Sequence, residues 1–197
     1  MPFIQKGMLD FAGFGMGHPM KTWIVLFRGI NVSGTNIVPM AELRALMVDI
    51  GYGGAQTYIQ SGNLLFSTDH DADMIRADVA SAVEGKFGFE PRLMLFSLSD
   101  FEAALKANPF AEAAADAKSV HLFFMEKAPV EPDTAQMNSL KAASEGFELL
   151  DNIFYLHAPD GIGRSKLAAR AERLLGVPAT GRNWRSAMKI LELAQGL

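Results

Sequence analysis

The chain has 197 residues, 49% hydrophobic and 20% charged, with 18 basic against 22 acidic side chains. A chain of this mass buries about 70% of its unfolded surface on folding, which with this composition excludes a disordered chain or a coiled coil. With no cysteine there is no disulfide scaffold, thiolate zinc site or cysteine nucleophile, and a net charge of −4 argues against nonspecific coating of nucleic acid.

Residues 1–19 read as a leader, because Asp10 and Gly7, Gly13, Gly15 and Gly17 interrupt any apolar run of the kind a signal peptide needs. The alternative is that Phe3, Ile4, Phe11 and Phe14 dock on the body and cover an apolar groove. No stretch of eighteen apolar residues occurs, so no membrane partner is expected. The expectation is a cytoplasmic protein whose functional chain begins near Met20.

From there the elements follow in order. Residues 22–27 form an unbroken apolar, β-branched and aromatic run, as in a central strand covered by helices. Pro39 opens a helix with Met40, Leu43, Leu46, Met47 and Ile50 on one face, stopped by Gly51. Residues 57–59 and 64–66 are short strands joined around Ser61, Gly62 and Asn63. Asp71 or Asp73 caps a second helix carrying Ile75, Val79, Val83 and Phe87, Gly88 ends it, and residues 93–96 form a fourth strand. Strand, helix, strand, strand, helix, strand is the ferredoxin-like order, with helices packed on one face of an antiparallel or mixed sheet.

After a short helix near Phe101 and Leu105 and an alanine-rich connector, the pattern restarts with a strand over 120–125 and a helix after Pro132. A hairpin over 147–156 follows, then a helix capped by Ser165 and a last helix from about Asn183. The fold class expected is therefore α+β with two ferredoxin-like-related units, residues 20–107 and 119–197.

Polar groups collect at four junctions. The first is Arg28–Asn36, where Gly29 and Gly34 permit positive φ, consecutive amides can nest an anion, and Arg28 adds a fork for phosphate or carboxylate. A capped loop whose asparagines satisfy their own backbone explains the same residues. The second is Gln60–Asn63, for which a hairpin turn is the plain reading. The third is Asp160–Lys166, a glycine-rich approach to a helix with Arg164 and Lys166 beside it; an anion cradle and surface salt bridges both fit. The fourth is Thr180–Arg185, where Thr180 or Asn183 can cap the last helix, Trp184 packs into the core, and Arg182 and Arg185 add positive charge. His18, His70, His121 and His157 show no metal-ligand spacing.

The string Phe27-Arg28-Gly29-Ile30-Asn31-Val32, with Gly34 and Asn36, and the string Tyr58-Ile59-Gln60-Ser61-Gly62-Asn63 resemble a bacterial family catalogued as domain of unknown function 1697 (DUF1697). The likeness extends to Asn108-Pro109-Phe110, Gly163-Arg164-Ser165-Lys166-Leu167 and Thr180-Gly181-Arg182-Asn183-Trp184. It covers the chain from Met20 to about Ala194. The resemblance implies a two-part α+β fold and no particular reaction, substrate or cofactor.

The function expected is binding of a small anionic ligand, a nucleotide or phosphorylated metabolite. The candidate ligand-binding residues are Arg28, Asn31, Asn36, Gln60, Ser61, Asn63, Arg164, Lys166, Arg182 and Asn183. One alternative is an enzyme on such a ligand, with His157 or Asp160 as acid or base. Another is single-stranded nucleic-acid binding through Tyr58 and Phe66, against which the acidic pI counts. The Arg28 loop, the Gln60 turn and a basic junction of the second unit are expected to converge on one cleft. Meeting of the first two is the weaker half, on the reading that they leave opposite ends of neighbouring strands.

Overall fold

The first four strands alternate with helices as their patterns require: β1 (Lys21–Arg28), α1 (Met40–Asp49), β2 (Gln56–Tyr58), β3 (Asn63–Thr68), α2 (Ala72–Phe87) and β4 (Arg92–Ser97). This computed structural model describes residues 19–197. The leader expectation therefore lies, apart from Pro19, outside the described residues. The sheet order is β2-β3-β1-β4, with every pair antiparallel. Asp71 is the cap of α2, its carboxylate accepting from the Met74 amide at 2.9 Å, and Gly88 closes the helix at φ 77°.

The second half repeats this order with α3 (Leu98–Lys106) as the link, then β5 (Val120–Met125), α4 (Thr134–Leu140), β6 (Gly146–Leu150), β7 (Ile153–His157), α5 (Ala171–Leu175), β8 (Ala179–Asn183) and α6 (Trp184–Gln195). Its sheet runs β6-β7-β5-β8, again antiparallel throughout. The protein is thus α+β with two four-stranded antiparallel sheets of ferredoxin-like order. The Ser165 helix expected from sequence is mostly shorter and tighter. Ser165 accepts from the Ala168 amide at 2.9 Å, a 3-10 turn spans Ala168–Arg170, and only Ala171–Leu175 is α-helical.

Strand alternation explains three cores. Trp23, Val25 and Phe27 face α1 and α2, meeting Leu43, Met47, Ile75, Val79 and Val83. Ile24 and Leu26 face the other way, into a core shared by both sheets with α3 and α6. There Phe101 stacks on Phe124 at 5.2 Å, and the Tyr155 hydroxyl donates to the Ala104 carbonyl at 2.6 Å. Met125, Phe154 and Leu156 pack on Met137 of α4 and on Ala171, Leu174 and Leu175 of α5. The two units' inward faces therefore bury one another, and α6, last in the chain, packs on β1 and β3 of the first sheet.

Burial of one histidine sets a pH dependence. His121 on β5 is buried and its Nδ1 has no partner among the described residues. Burial holds its imidazole below the usual range, partly offset by a backbone hydrogen bond at Ser119. The unfolded chain therefore takes up a proton here before the folded one does, and stability is lost as pH falls through the ordinary histidine range. The melting temperature should drop further in wild type than in His121→Phe on going from about pH 7.5 to about pH 5. Equal drops would assign the acid sensitivity elsewhere.

Candidate functional site

The antiparallel register decides where the polar junctions meet. Leu26 pairs with Asn63, and the Phe27 amide donates to the Gly62 carbonyl at 2.8 Å. The exit of β1 and the entry of β3 therefore lie at the same end of the sheet, not at opposite ends as the sequence reading held. Antiparallel neighbours place the end of one strand beside the start of the other.

Asn31 joins the two segments. Its Nδ2 donates to the Gln60 carbonyl at 2.8 Å and the Val38 carbonyl at 2.9 Å, and its Oδ1 accepts from the Val38 amide at 2.8 Å. Asn36 donates to the Gly29 carbonyl at 3.2 Å and accepts from the Asn31 amide at 3.1 Å. Asn63 is fully buried, donating to the Tyr58 carbonyl at 2.9 Å and to Ser61 Oγ at 3.0 Å. This web holds a strained backbone: Asn31, Ser33, Asn36 and Ile59 all have φ between 48° and 55°. For β-branched Ile59 that conformation is a true outlier, and such strain persists only where surrounding bonds enforce it.

The second half closes on this end through Arg182. Sequence reading placed Arg182 at a helix start; it belongs to β8, and Asn183 is the residue that caps α6, accepting from the Ser186 amide at 2.8 Å. The buried guanidinium donates through Nε to Asn63 Oδ1, through Nη1 to Thr180 Oγ1 and the Gly181 carbonyl (both 2.8 Å), and through Nη2 to the carbonyls of Ser61 (2.8 Å), Phe27 (3.2 Å) and Gly62 (3.3 Å). Thr180 Oγ1 also donates to the Phe27 carbonyl at 3.1 Å. Burial pushes the Arg182 pKa down to about 10, so the group still carries its charge at neutral pH. Every acceptor is neutral, and no carboxylate among the described residues pairs with it.

Between these parts lies a cleft of about 400 Å³ lined by Phe27, Arg28, Gly29, Ser61, Glu172 and Arg182 among others. Arg28 is half-exposed at its edge, its Nη2 2.7 Å and 2.9 Å from the two carboxylate oxygens of Glu172 on α5. Of the ten candidate residues, Arg28, Asn31, Asn36, Gln60, Ser61, Asn63 and Arg182 gather at this end of the first sheet. Arg164 and Lys166 are exposed and do not line the cleft. Glu172 and Thr180 are the site residues sequence reasoning missed, Thr180 having been weighed only as a cap. Nothing local marks Glu172, which lies 144 residues from its partner.

The alternative roles fall elsewhere. His157 stacks obliquely on Phe110 at 5.8 Å, and Asp160 accepts from Ser144 Oγ at 2.6 Å. Neither lines the cleft. His70 Nδ1 lies 3.0 Å from the Tyr52 hydroxyl, which donates to Asp78 at 2.6 Å. Phe66 is buried against Tyr52 at 4.8 Å, so it is no base-stacking platform. Among the described residues no three His, Cys, Asp or Glu side chains gather as a metal site, and no helix is long and apolar enough to cross a membrane.

The family model described as protein of unknown function (DUF1697) matches residues 20–155. Among solved structures, the chain is similar to the conserved bacterial protein SP0830 from Streptococcus pneumoniae. The two are 27% identical with a TM-score of 0.68, over 89% of this chain and 99% of that one. No curated protein matches.

Proposed function

The chain belongs to the DUF1697 family, and we propose that it binds a small anionic ligand, a nucleotide or phosphorylated metabolite of the cytoplasm, in the cleft between Arg28 and Arg182. The observation that carries this reading is the charge of that cleft. Its lining holds two arginines against one glutamate, and the buried arginine has only neutral acceptors. In a chain of net charge −4, a positive concavity with low-dielectric walls attracts anions. Gly29, at φ 69°, and Ile30 line the same cleft, and their amides donate to no protein acceptor among the described residues.

The roles divide by exposure. Arg182 has spent its donors on the chain and acts through its field. Arg28 is the group that can bond the ligand directly, and Glu172 is its present occupant. An incoming phosphate displaces that carboxylate and accepts the same Nη2 proton.

Calorimetric titration with phosphate and nucleotides tests this. Arg28→Ala should weaken binding by about 1.5–3 kcal/mol, the scale of a charged hydrogen bond, whereas Glu172→Gln should tighten it by removing a competitor. Equal binding by all three proteins, or none by any, would sink the proposal.

A further inference from the structure

The β1–β4 register places a second arginine beside the first. Arg28 pairs with Arg92 directly across the ladder, so the two side chains leave the same face of the sheet with Cβ atoms about 4.5–5.5 Å apart. Like charges so placed repel. Glu172 offsets Arg28, but the Arg92 side chain is exposed and has no hydrogen bond or ion pair among the described residues. The face they share is the one from which Arg28 reaches α5 of the second half, so both arginines border the seam between the halves.

Arg92 lines a cavity of its own, about 350 Å³, with Arg76, Glu90, Glu126 and Pro178; Glu90 is in no ion pair among the described residues. Arg76 is held there by Glu126 at 3.2 Å and by the Leu93 carbonyl, which leaves Arg92 as that cavity's uncommitted cation. A third depression links it to the cleft, since Glu172 borders both the depression and the cleft, and Pro178 borders both the depression and the Arg92 cavity. Three depressions thus follow one another along the seam, with Arg28 lining one and Arg92 another.

We infer that the ligand carries two linked anionic groups, a diphosphate rather than a monophosphate, with one group on Arg28 and the other on Arg92. This rests on the anion-binding reading of the cleft and deepens it. Arg28 and Arg92 line different cavities, so a phosphate held in the Arg28 cleft leaves Arg92 without a counter-ion, whereas two phosphates joined through one oxygen offer a group to each, and a nucleoside diphosphate presents the same pair.

The test is titration of the full chain with inorganic phosphate, pyrophosphate and a nucleoside diphosphate, in wild type and Arg92→Gln. Arg92 is exposed, and circular dichroism and melting temperature verify that the variant folds. The expected result is pyrophosphate binding at least about tenfold tighter than phosphate in wild type. That advantage should vanish in Arg92→Gln while phosphate affinity stays the same to within about twofold. Equal affinity for phosphate and pyrophosphate, or an advantage that survives Arg92→Gln, overturns the two-group inference and leaves the single-anion reading intact. Absence of all binding overturns both.

Discussion

Arg182→Ala should lower the unfolding free energy by about 3–5 kcal/mol, the range for removing one partner from a buried charged network. The substitution strands the Ser61 carbonyl and the amide oxygen of Asn63, and takes one of two donors from the carbonyls of Phe27 and Gly62. Each buried acceptor left alone costs about 1–3 kcal/mol, less whatever entering water recovers. Arg182→Lys should restore little, because an ammonium offers three donors from one point where the guanidinium fork spans six acceptors on two halves of the molecule. Urea denaturation of the three proteins measures this. A loss under about 1 kcal/mol for alanine would mean that the network adds nothing net to stability.

Gly62→Ala carries the second large cost. Gly62 has φ 72°, and a Cβ there would stand 2.6 Å from both Phe27 Cβ and Ile30 Cδ1. The left-handed backbone costs about 1–2 kcal/mol for a residue with a Cβ, and the clash adds about 1–3 kcal/mol of forced rearrangement. Gly34 separates the two terms, because it has φ 77° with nothing within 4 Å of its Cβ position. Gly34→Ala should therefore show the backbone term alone. Equal melting temperatures for the two variants would show that Phe27 and Ile30 both give way freely.

How far the molecule could be read from its sequence depended on whether burial left a local trace. The run from Trp23 to Phe27 was legible because both faces of β1 are covered, so every position is apolar. Ser61, Gly62 and Asn63 were legible as a turn, and Arg28 as a residue at a loop that needs explaining. The strand β8 was not. Its sequence, Ala179-Thr180-Gly181-Arg182-Asn183, has no apolar alternation, because Thr180 and Arg182 are buried by hydrogen bonds to the other half rather than by hydrophobic contact. Such bonds join residues more than a hundred positions apart and leave no periodicity. The pairings of Arg28 with Glu172 and with Arg92 were invisible for the same reason: one needs the packing of the halves, the other the strand register. The strings read as a ligand site are in large part the hydrogen-bonding web of the junction, with Asn31, Asn36, Asn63 and Arg182 committed to backbone and side-chain partners.

What those bonds leave free is the Arg28 edge of the cleft, and a crystal structure of the protein grown with pyrophosphate looks there directly. The expected density is an anion whose oxygens lie within hydrogen-bonding distance of Arg28 Nη2 and of the Arg92 guanidinium, with the Glu172 carboxylate moved away from Arg28. An empty cleft at saturating pyrophosphate, with Arg28 still bonded to Glu172, would contradict the account.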